Sequence, residues 1–373
     1  MTAAGAGWVV PTAIQAAALG PILNGRDVLG LAPTGSGKTA AYLLPLLQTL
    51  QAEPGAMDER PRRLRALVLA PTRELAAQIG DAAAVLASQL KTVVAVGGLS
   101  INPQMMALRG GAHLVVATPG RLLDLLEQRA LQLSQVAVLV LDEADRLLDL
   151  GFAEEIGRLL ALLPLRRQTL MFSATMPAAA MALAARVLQD PLRIEAPATE
   201  AATPLIVQRA IEVDTARRTP LLRHLIATEG WDRVLVFVAT QYATEHVADK
   251  LRRAGIQAAA LHGQLSQGRR SQVLADFHQR RLTVLVATDL AARGIDVVDL
   301  AAVVNHDLPR SAVDYTHRIG RTGRAGAAGA AVSFICTDTV GSEAHFRLIE
   351  KRQRQRVVRE RVPGFEPAVG TPG

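Results

Sequence analysis

The chain has 373 residues, half of them hydrophobic and 20% charged, which is too long for one ordinary domain and suits two of roughly 100 to 200 residues each. No apolar run approaches the ~18–20 residues of a membrane span, and a single cysteine, Cys336, excludes an internal disulfide framework and a cysteine-rich zinc site. The net charge of +7 is unevenly placed: residues 1–200 carry 17 Lys and Arg against 17 Asp and Glu, residues 201–373 carry 24 against 17, and Lys351–Arg361 alone adds +5.

The opening, MTAAGAGWVVPT, has neither the basic start nor the apolar core of a secretion signal, which points to the cytoplasm. The first predicted strand, Val28–Ala32, runs into APTGSGKT (Ala32–Thr39) and then a helix, AAYLLPLLQTL. A backbone that wraps a phosphate closely needs glycines without Cβ, and its N–H groups then face the anion at the positive end of a helix. Thr34, Gly35, Ser36 and Gly37 would form that cradle, Lys38 would reach the β and γ phosphates, and the Thr39 hydroxyl would meet Mg²⁺. Ala32 stands where the general pattern has Gly, but the strand before and the helix after keep the assignment of a nucleotide loop, with ATP and Mg²⁺ as cofactors.

Ala52–Arg65, with Pro54, Gly55, Pro61 and mixed charges, reads as a surface loop. Strands are then predicted at Ala66–Ala70, Thr92–Val96, Leu114–Ala117, Val136–Leu141 and Thr169–Phe172, separated by helix-length amphipathic segments. The fifth of the six is six apolar residues followed by Asp142–Asp145, DEAD. A buried strand ending in acids places them at the carboxyl edge of a parallel sheet, where such folds bind ligands. Asp142 would hold Mg²⁺ through water, and Glu143 would orient or deprotonate the attacking water.

Glu195–Pro204, made of Pro, Ala, Thr and Glu, reads as a linker, placed at 199–205 between domains 1–198 and 206–362, with a tail at 363–373. Beyond it the βα alternation starts again: Ile206–Val213, Val234–Val238, Gln257–Leu261, Val284–Ala287, Ala302–Asn305 and Ala330–Ile335. Thr240 is placed to cap a helix whose Ala243, Val247 and Leu251 fall on one face. HRIGRTGR (His317–Arg324) sets three arginines and two glycines within eight residues, in a half with no phosphate loop of its own. These read as arginine fingers for the γ-phosphate, so that the two halves must close on one nucleotide. Cys336 sits in AAVSFIC as a buried small hydrophobe, and the basic Lys351–Arg361 reads as a helix facing a polyanion, nucleic acid before membrane. The fold class is α/β, two tandem domains, each a mostly parallel sheet flanked by helices.

In order, the chain shows GWVVPTAIQ, APTGSGKT, PTRELA, GG (Gly97 and Gly98), TPGR, DEAD and SAT, then VLVFVAT, HGQLSQGRR, TDLAARGID and YTHRIGRTGR. This series resembles the DEAD-box RNA helicases over nearly the whole chain, and the wording of the second half is similar to the bacterial RhlE-type branch. The resemblance implies two RecA-like domains and an RNA-dependent ATPase that separates short duplexes. It implies that Gln15 reads the adenine edge, that Asp296 meets the ribose, and that Arg321 and Arg324 reach the γ-phosphate. Asp145, Ser173, Thr175 and His317 would couple the nucleotide to RNA, although Ser173 and Thr175 taken alone would serve equally as helix caps.

RNA contacts would run over Arg73, Gly98, Thr118 and Arg121 in the first domain and Gly263, Arg270, Thr288 and Asp289 in the second, mostly to phosphates and 2′-hydroxyls. With only 3% aromatic residues, base stacking is not the main source of affinity. The expected partner is single-stranded or short duplex RNA and not a membrane, and the expected state is a monomer. An ATP-gated RNA clamp would use the same motifs, and a DNA translocase would share the core architecture.

Overall fold

A computed structural model of the chain describes residues 10–33, 35–52, 60–196, 206–292, 300–323 and 329–368. The chain divides into two compact units, Met1–Glu200 and Ala201–Gly373. The linker at 199–205 lies outside the described residues, as do Thr34, Asp296 and Arg324.

In the first unit the elements are α1 (Ala13–Leu23), β1 (Val28–Leu31), α2 (Lys38–Ala52), β2 (Ala66–Leu69), α3 (Arg73–Leu86), β3 (Thr92–Ala95), α4 (Ile101–Leu108), β4 (Leu114–Ala117) and α5 (Pro119–Glu127). There follow β5 (Val138–Leu141), α6 (Ala144–Asp149), α7 (Ala153–Leu162), β6 (Gln168–Ser173), α8 (Ala178–Val187) and β7 (Leu192–Glu195). The strands pair in parallel, in the order β3-β4-β2-β5-β6-β1-β7. Both faces are covered, which explains the continuous apolar runs. Leu67 and Leu69 of β2 join one core cluster, whereas Ala66 and Val68 join the other.

The second unit contains β8 (Ile206–Val213), α9 (Arg218–Thr228), β9 (Val234–Phe237), α10 (Gln241–Arg253), β10 (Ala258–Leu261), α11 (Gln267–His278), β11 (Val284–Ala287) and α12 (Asp289–Ala292). It continues with β12 (Ala302–Asn305), α13 (Ala312–Ile319), β13 (Gly329–Cys336), α14 (Ser342–Gln353) and β14 (Arg359–Glu360). Its parallel order, β10-β11-β9-β12-β13-β8-β14, repeats that of the first sheet strand for strand. Val234 and Val236 face one core and Leu235 and Phe237 the other. Thr240 caps α10 by accepting the Ala243 N–H at 3.1 Å, and Lys250, Arg252 and Arg253 in the last turn oppose the helix dipole. Cys336 is buried, and burial raises its thiol pKa.

Each sheet has seven strands where six are expected from sequence. The additional strand in each case is an edge: β7, LRIE, and the two-residue β14. One face of an edge strand and its outer hydrogen-bonding side are wet, so neither carries an apolar run.

The basic segment also differs from expectation. Only Lys351–Gln353 belongs to a helix, which ends at Arg354 with φ +54°, and the chain then crosses to pair with β8. Arg359 reaches Glu343 and Glu350, both at 2.9 Å, and Arg361 reaches Glu212 at 2.7 Å. Two of the six basic residues are thus bound internally, leaving Lys351, Arg352, Arg354 and Arg356 exposed. Residues 363–368, expected as a tail, pack on the same unit: Phe365 lies 5.2 Å from His224, beneath the Arg217 guanidinium.

Candidate functional site

The carboxyl edge of the first sheet gathers the residues singled out from sequence. Past β1 the loop turns on Gly35 and Gly37, at φ +84° and +89°, where any other residue would be strained. A Cβ on Gly37 would come within 2.4 Å of the Gln15 amide. Gln15 bridges its own helix start to this loop, accepting the Thr12 N–H at 3.0 Å and donating to the Gly37 carbonyl at 3.2 Å. Lys38 opens α2 with its ammonium folded back on the carbonyls of Ala32 and Pro33, at 2.5 and 3.1 Å. Burial lowers its pKa, while Asp142, Glu143 and Asp145 pull the other way. The buried Ser36 hydroxyl in the same loop has no hydrogen-bond partner among the described residues.

Opposite the loop, at the end of β5, Asp142 is 1% exposed. It accepts the Tyr42 hydroxyl at 2.7 Å and the Glu143 N–H at 2.9 Å. Burial pushes its carboxyl up to about 6 and the charge of Glu143 adds to this, against the Tyr42 hydroxyl and Lys38. Lys38 and Asp142 are therefore both pushed toward neutrality. A polyphosphate at the loop and a divalent cation at the carboxylate would restore both charges, so this donor set fits a nucleotide with its metal. Among the described residues no cluster of three or more His, Cys, Asp or Glu could hold a metal ion.

Glu143 has φ +48°, and its carboxylate is held by Arg146, itself 5% exposed, at 2.9 Å. Asp145 joins the following strand. It accepts the Thr175 N–H and hydroxyl at 2.9 and 2.7 Å, its own N–H reaches the Ser173 hydroxyl at 3.2 Å, and Ser173 donates to the Thr175 carbonyl at 2.7 Å. Burial raises the Asp145 pKa, but the bonds from Thr175 and Ser173 outweigh it and the net shift is downward. Asp145, Ser173 and Thr175 thus form one network rather than separate helix caps.

Beside this cluster, at the ends of β2, β3 and β4, Arg73, Gly98, Thr118 and Arg121 come together. Gly98 lies under the Arg73 guanidinium, with φ +72°, where a Cβ would overlap it. Thr118 accepts the Gly97 N–H at 3.2 Å, and Arg121 donates to the Leu99 carbonyl at 2.7 Å while its buried Nη1 has no hydrogen-bond partner.

In the second unit two arginines of the HRIGRTGR segment, Arg318 and Arg321, are described. Arg318, 3% exposed, is an internal hub: it grips both Asp289 oxygens at 2.6 Å, donates to Asn305 at 2.9 Å and to the Asp307 carbonyl at 2.7 Å, and stacks 4.7 Å from the Phe237 ring centroid. It is no finger. Arg321 is buried at 6% exposure, and His317 stands in the last turn of α13. Asp289, expected on the RNA track, spends its carboxylate on Arg318; Thr288 accepts the Ala291 N–H at 3.4 Å, and Arg270 donates to the Ala291 carbonyl at 2.8 Å. Gly263 sits in the turn after β10, where an added Cβ would meet only the Gln241 amide, at 4.0 Å.

The second sheet has its own edge cluster where the first has its nucleotide loop. Arg218, just past β8, pairs with Asp307, just past β12, and donates to the His306 carbonyl at 2.8 Å. His306 is buried and its pKa is pushed down to about 4, by burial and then by Arg218, against Asp307. A cavity of about 400 Å³ remains beside them.

Sequence reading missed Tyr42, Arg146 and the hub role of Arg318. Tyr42 lies one turn after Lys38 and Arg146 one turn after Glu143, so helical spacing was the available signal.

Residues 12–183 match the DEAD/DEAH box helicase family and residues 217–326 the helicase conserved C-terminal domain. The chain is 42% identical over 364 residues to the ATP-dependent RNA helicase DeaD of Mycobacterium tuberculosis, covering 96% of this chain and 62% of that protein. It is 42% identical over 347 residues to the ATP-dependent RNA helicase SrmB of Escherichia coli, covering 92% of this chain and 76% of that one. The chain thus spans less than two thirds of the DeaD protein. Among solved structures, S. cerevisiae Dbp5 bound to RNA and ADP BeF3 superposes with a TM-score of 0.83 at 30% identity, over 98% of this chain and 92% of that one.

Proposed function

The chain belongs to the DEAD-box ATP-dependent RNA helicases, and from that premise we propose that it hydrolyses ATP in an RNA-dependent cycle that binds, bends and locally unwinds short RNA duplexes with little sequence preference. The observation that carries this is the network around the acidic segment: Asp142 accepts the hydroxyl of Tyr42, one turn past Lys38, and Asp145 ties the same segment to Ser173 and Thr175.

In the proposed cycle the Lys38 ammonium leaves the Ala32 and Pro33 carbonyls for the β and γ phosphates. The Gly35–Gly37 loop, with Thr34, cradles the phosphate oxygens by backbone N–H groups, and Gln15 exchanges one of its amide bonds for the adenine edge. Thr39 and, through water, Asp142 would hold Mg²⁺, which would supply positive charge to the phosphate oxygens. Glu143 orients the attacking water and takes its proton. Asp296 meets the ribose, and Arg321 and Arg324, assisted by His317, supply charge to the γ-phosphate when the two units close on ATP.

RNA would lie on phosphate and 2′-hydroxyl contacts from Arg73, Gly98, Thr118 and Arg121, continued by Gly263, Arg270 and Thr288, with Asp289 holding its segment in place through Arg318. The exposed Lys351, Arg352, Arg354 and Arg356 would add salt-sensitive attraction. The proposed form is a monomer and the proposed place the cytoplasm.

Steady-state ATP hydrolysis with Mg²⁺ tests the reading, comparing no nucleic acid, single-stranded RNA and DNA of the same sequence. Stimulation by RNA alone is expected, with strand displacement to follow. Equal stimulation by DNA, or none by either, would overturn the coupling.

A further inference from the structure

The opposite end of the first sheet carries a second concentration of charge. A cavity of about 650 Å³ opens at the amino ends of β2, β4 and β5, lined by Arg60, Arg62, Arg63, Arg109 and Arg129, with no carboxylate among its described lining residues. That volume lies within the usual range for a bound ligand. Among the described residues Arg62, Arg109 and Arg129 meet no acid, and the Arg62 Nε is buried without a hydrogen-bond partner. Lys91 adds to the field: it donates to the Arg109 carbonyl at 2.7 Å, and its pKa is lowered by burial and by the charge of Arg62.

The frame is rigid. Gly110 and Gly111 follow one another at φ +73° and +76°, the Arg62 N–H reaches the Gly110 carbonyl at 3.0 Å, and a Cβ on Gly111 would strike the Arg62 carbonyl oxygen at 1.9 Å. Only a chain without a side chain there lets the two backbones approach and fix Arg62 at the cavity wall. Uncompensated arginines repel one another, and their planar forks suit phosphate oxygens better than any neutral group.

Two helices link the cavity to the candidate RNA face. Helices α4 and α5 start beside Gly98 and Thr118 at the carboxyl edge and end at Arg109 and Arg129 at the amino edge. A second hollow, of about 430 Å³, lies between their ends, is lined by Asn102, Met105, Met106 and Gln128, and shares Arg109 and Arg129 with the first. The path along α4 is only about 12 Å.

We propose that the cavity framed by Arg62, Arg109 and Arg129 is a second phosphate-binding site, which grips the backbone of an RNA strand that continues past the track at Arg73, Gly98, Thr118 and Arg121. The inference rests on the reading of that track as the RNA face. It gives the first unit two grips on one strand, one on the segment acted upon and one on its flank.

The test uses the full chain and two oligouridylates, of about 6 and about 20 nucleotides, so that the shorter reports the track alone. The double variant Arg109→Gln, Arg129→Asn removes two exposed cations, and asparagine tolerates the positive φ of 53° at position 129. The long RNA is expected to lose about tenfold in affinity at low salt, with a salt slope smaller by about 1.4, while the short RNA is unaffected. No loss for the long RNA, or an equal loss for both, would overturn the proposal. Tripolyphosphate that binds the wild type and not the variant, while neither RNA responds, would give the cavity to a free polyphosphate instead. Arg73→Ala separates the two readings: it should weaken both lengths, and if it weakens neither while the double variant weakens the long RNA, the track fails and the rear site stands.

Discussion

At the carboxyl edge of the first sheet Asp142 is buried against a hydroxyl and a backbone N–H, with Lys38 turned away onto carbonyls; at the same place in the second sheet Arg218 already lies on Asp307. The strand order is identical, and the acids follow corresponding strands, Asp142 directly after β5 and Asp307 one residue further on after β12. What differs is whether the opposite charge comes from the chain or must be brought by a ligand. The first sheet keeps two groups that burial pushes toward neutrality and that a nucleotide would recharge, whereas the second has closed its circuit and uses it as a strut. A repeated fold therefore says little about a repeated chemistry.

The largest effect expected from breaking this contrast is catalytic. Glu143→Gln should leave ATP binding intact and lower turnover by about 10²–10⁴-fold, so single-turnover hydrolysis beside nucleotide titration decides the role of Glu143. Turnover close to wild type would remove it from the water-activating position.

Next comes the internal charge of the second unit. Arg318→Ala strands Asp289 and unsatisfies Asn305, with an expected loss of about 3–5 kcal/mol in urea unfolding. Arg318→Met should cost a similar amount, since Asp289 stays behind in both. A loss below about 1 kcal/mol would show that the hub is solvated and dispensable.

The pH dependence has opposite sign on the two sides of the comparison: the raised Asp142 carboxyl favours the folded first unit as pH falls below about 6, and His306 acts the other way in the second. His306 has a folded pKa of about 4, below its ordinary value of 6.5, so the folded unit takes up its proton later than the unfolded chain. The neutral imidazole's contribution is therefore complete above pH 6.5, is lost as pH falls from 6.5 toward 4, and changes no further below that. The groups that face it are Arg218, Asp307 and Lys250. Across that window the second unit should lose stability on the order of 2–3 kcal/mol, and His306→Gln should flatten the profile. A wild-type profile as flat as the variant's would refute the buried neutral histidine.

The smallest change sharpens the first site alone. Tyr42→Phe keeps the ring, which packs 5.3 Å from Phe172, and deletes the hydroxyl that orients Asp142. About 1 kcal/mol of stability should go, and the Mg²⁺ concentration for half-maximal turnover should rise several-fold with the ATP-saturated rate nearly kept. An unchanged Mg²⁺ requirement would mean that Asp142 is held by the fold without Tyr42.

Central strands were legible because each is apolar on both faces, and the gathering of Lys38, Asp142 and Asp145 at one sheet edge because glycines and acids sit at strand ends. The edges were not: β14 is two residues of a basic run, and only its pairing with β8 makes it a strand. Partnerships across the chain were equally silent. Tyr42 and Asp142 lie 100 residues apart and Arg318 and Asp289 lie 29 apart, so no local period announces either. The arginines of HRIGRTGR read alike in a row, and helical geometry sends Arg318 into the core.

Strand β8 waits between two neighbours that are made last. It leads the second unit, yet its partners β13 and β14 begin at Gly329 and Arg359. During synthesis at about 5–20 residues per second, a nascent chain therefore carries that unpaired ribbon for on the order of ten seconds after it emerges. Ribosome-bound intermediates stalled before Gly329 should be the forms that a trigger-type chaperone holds and that aggregate when it is withheld.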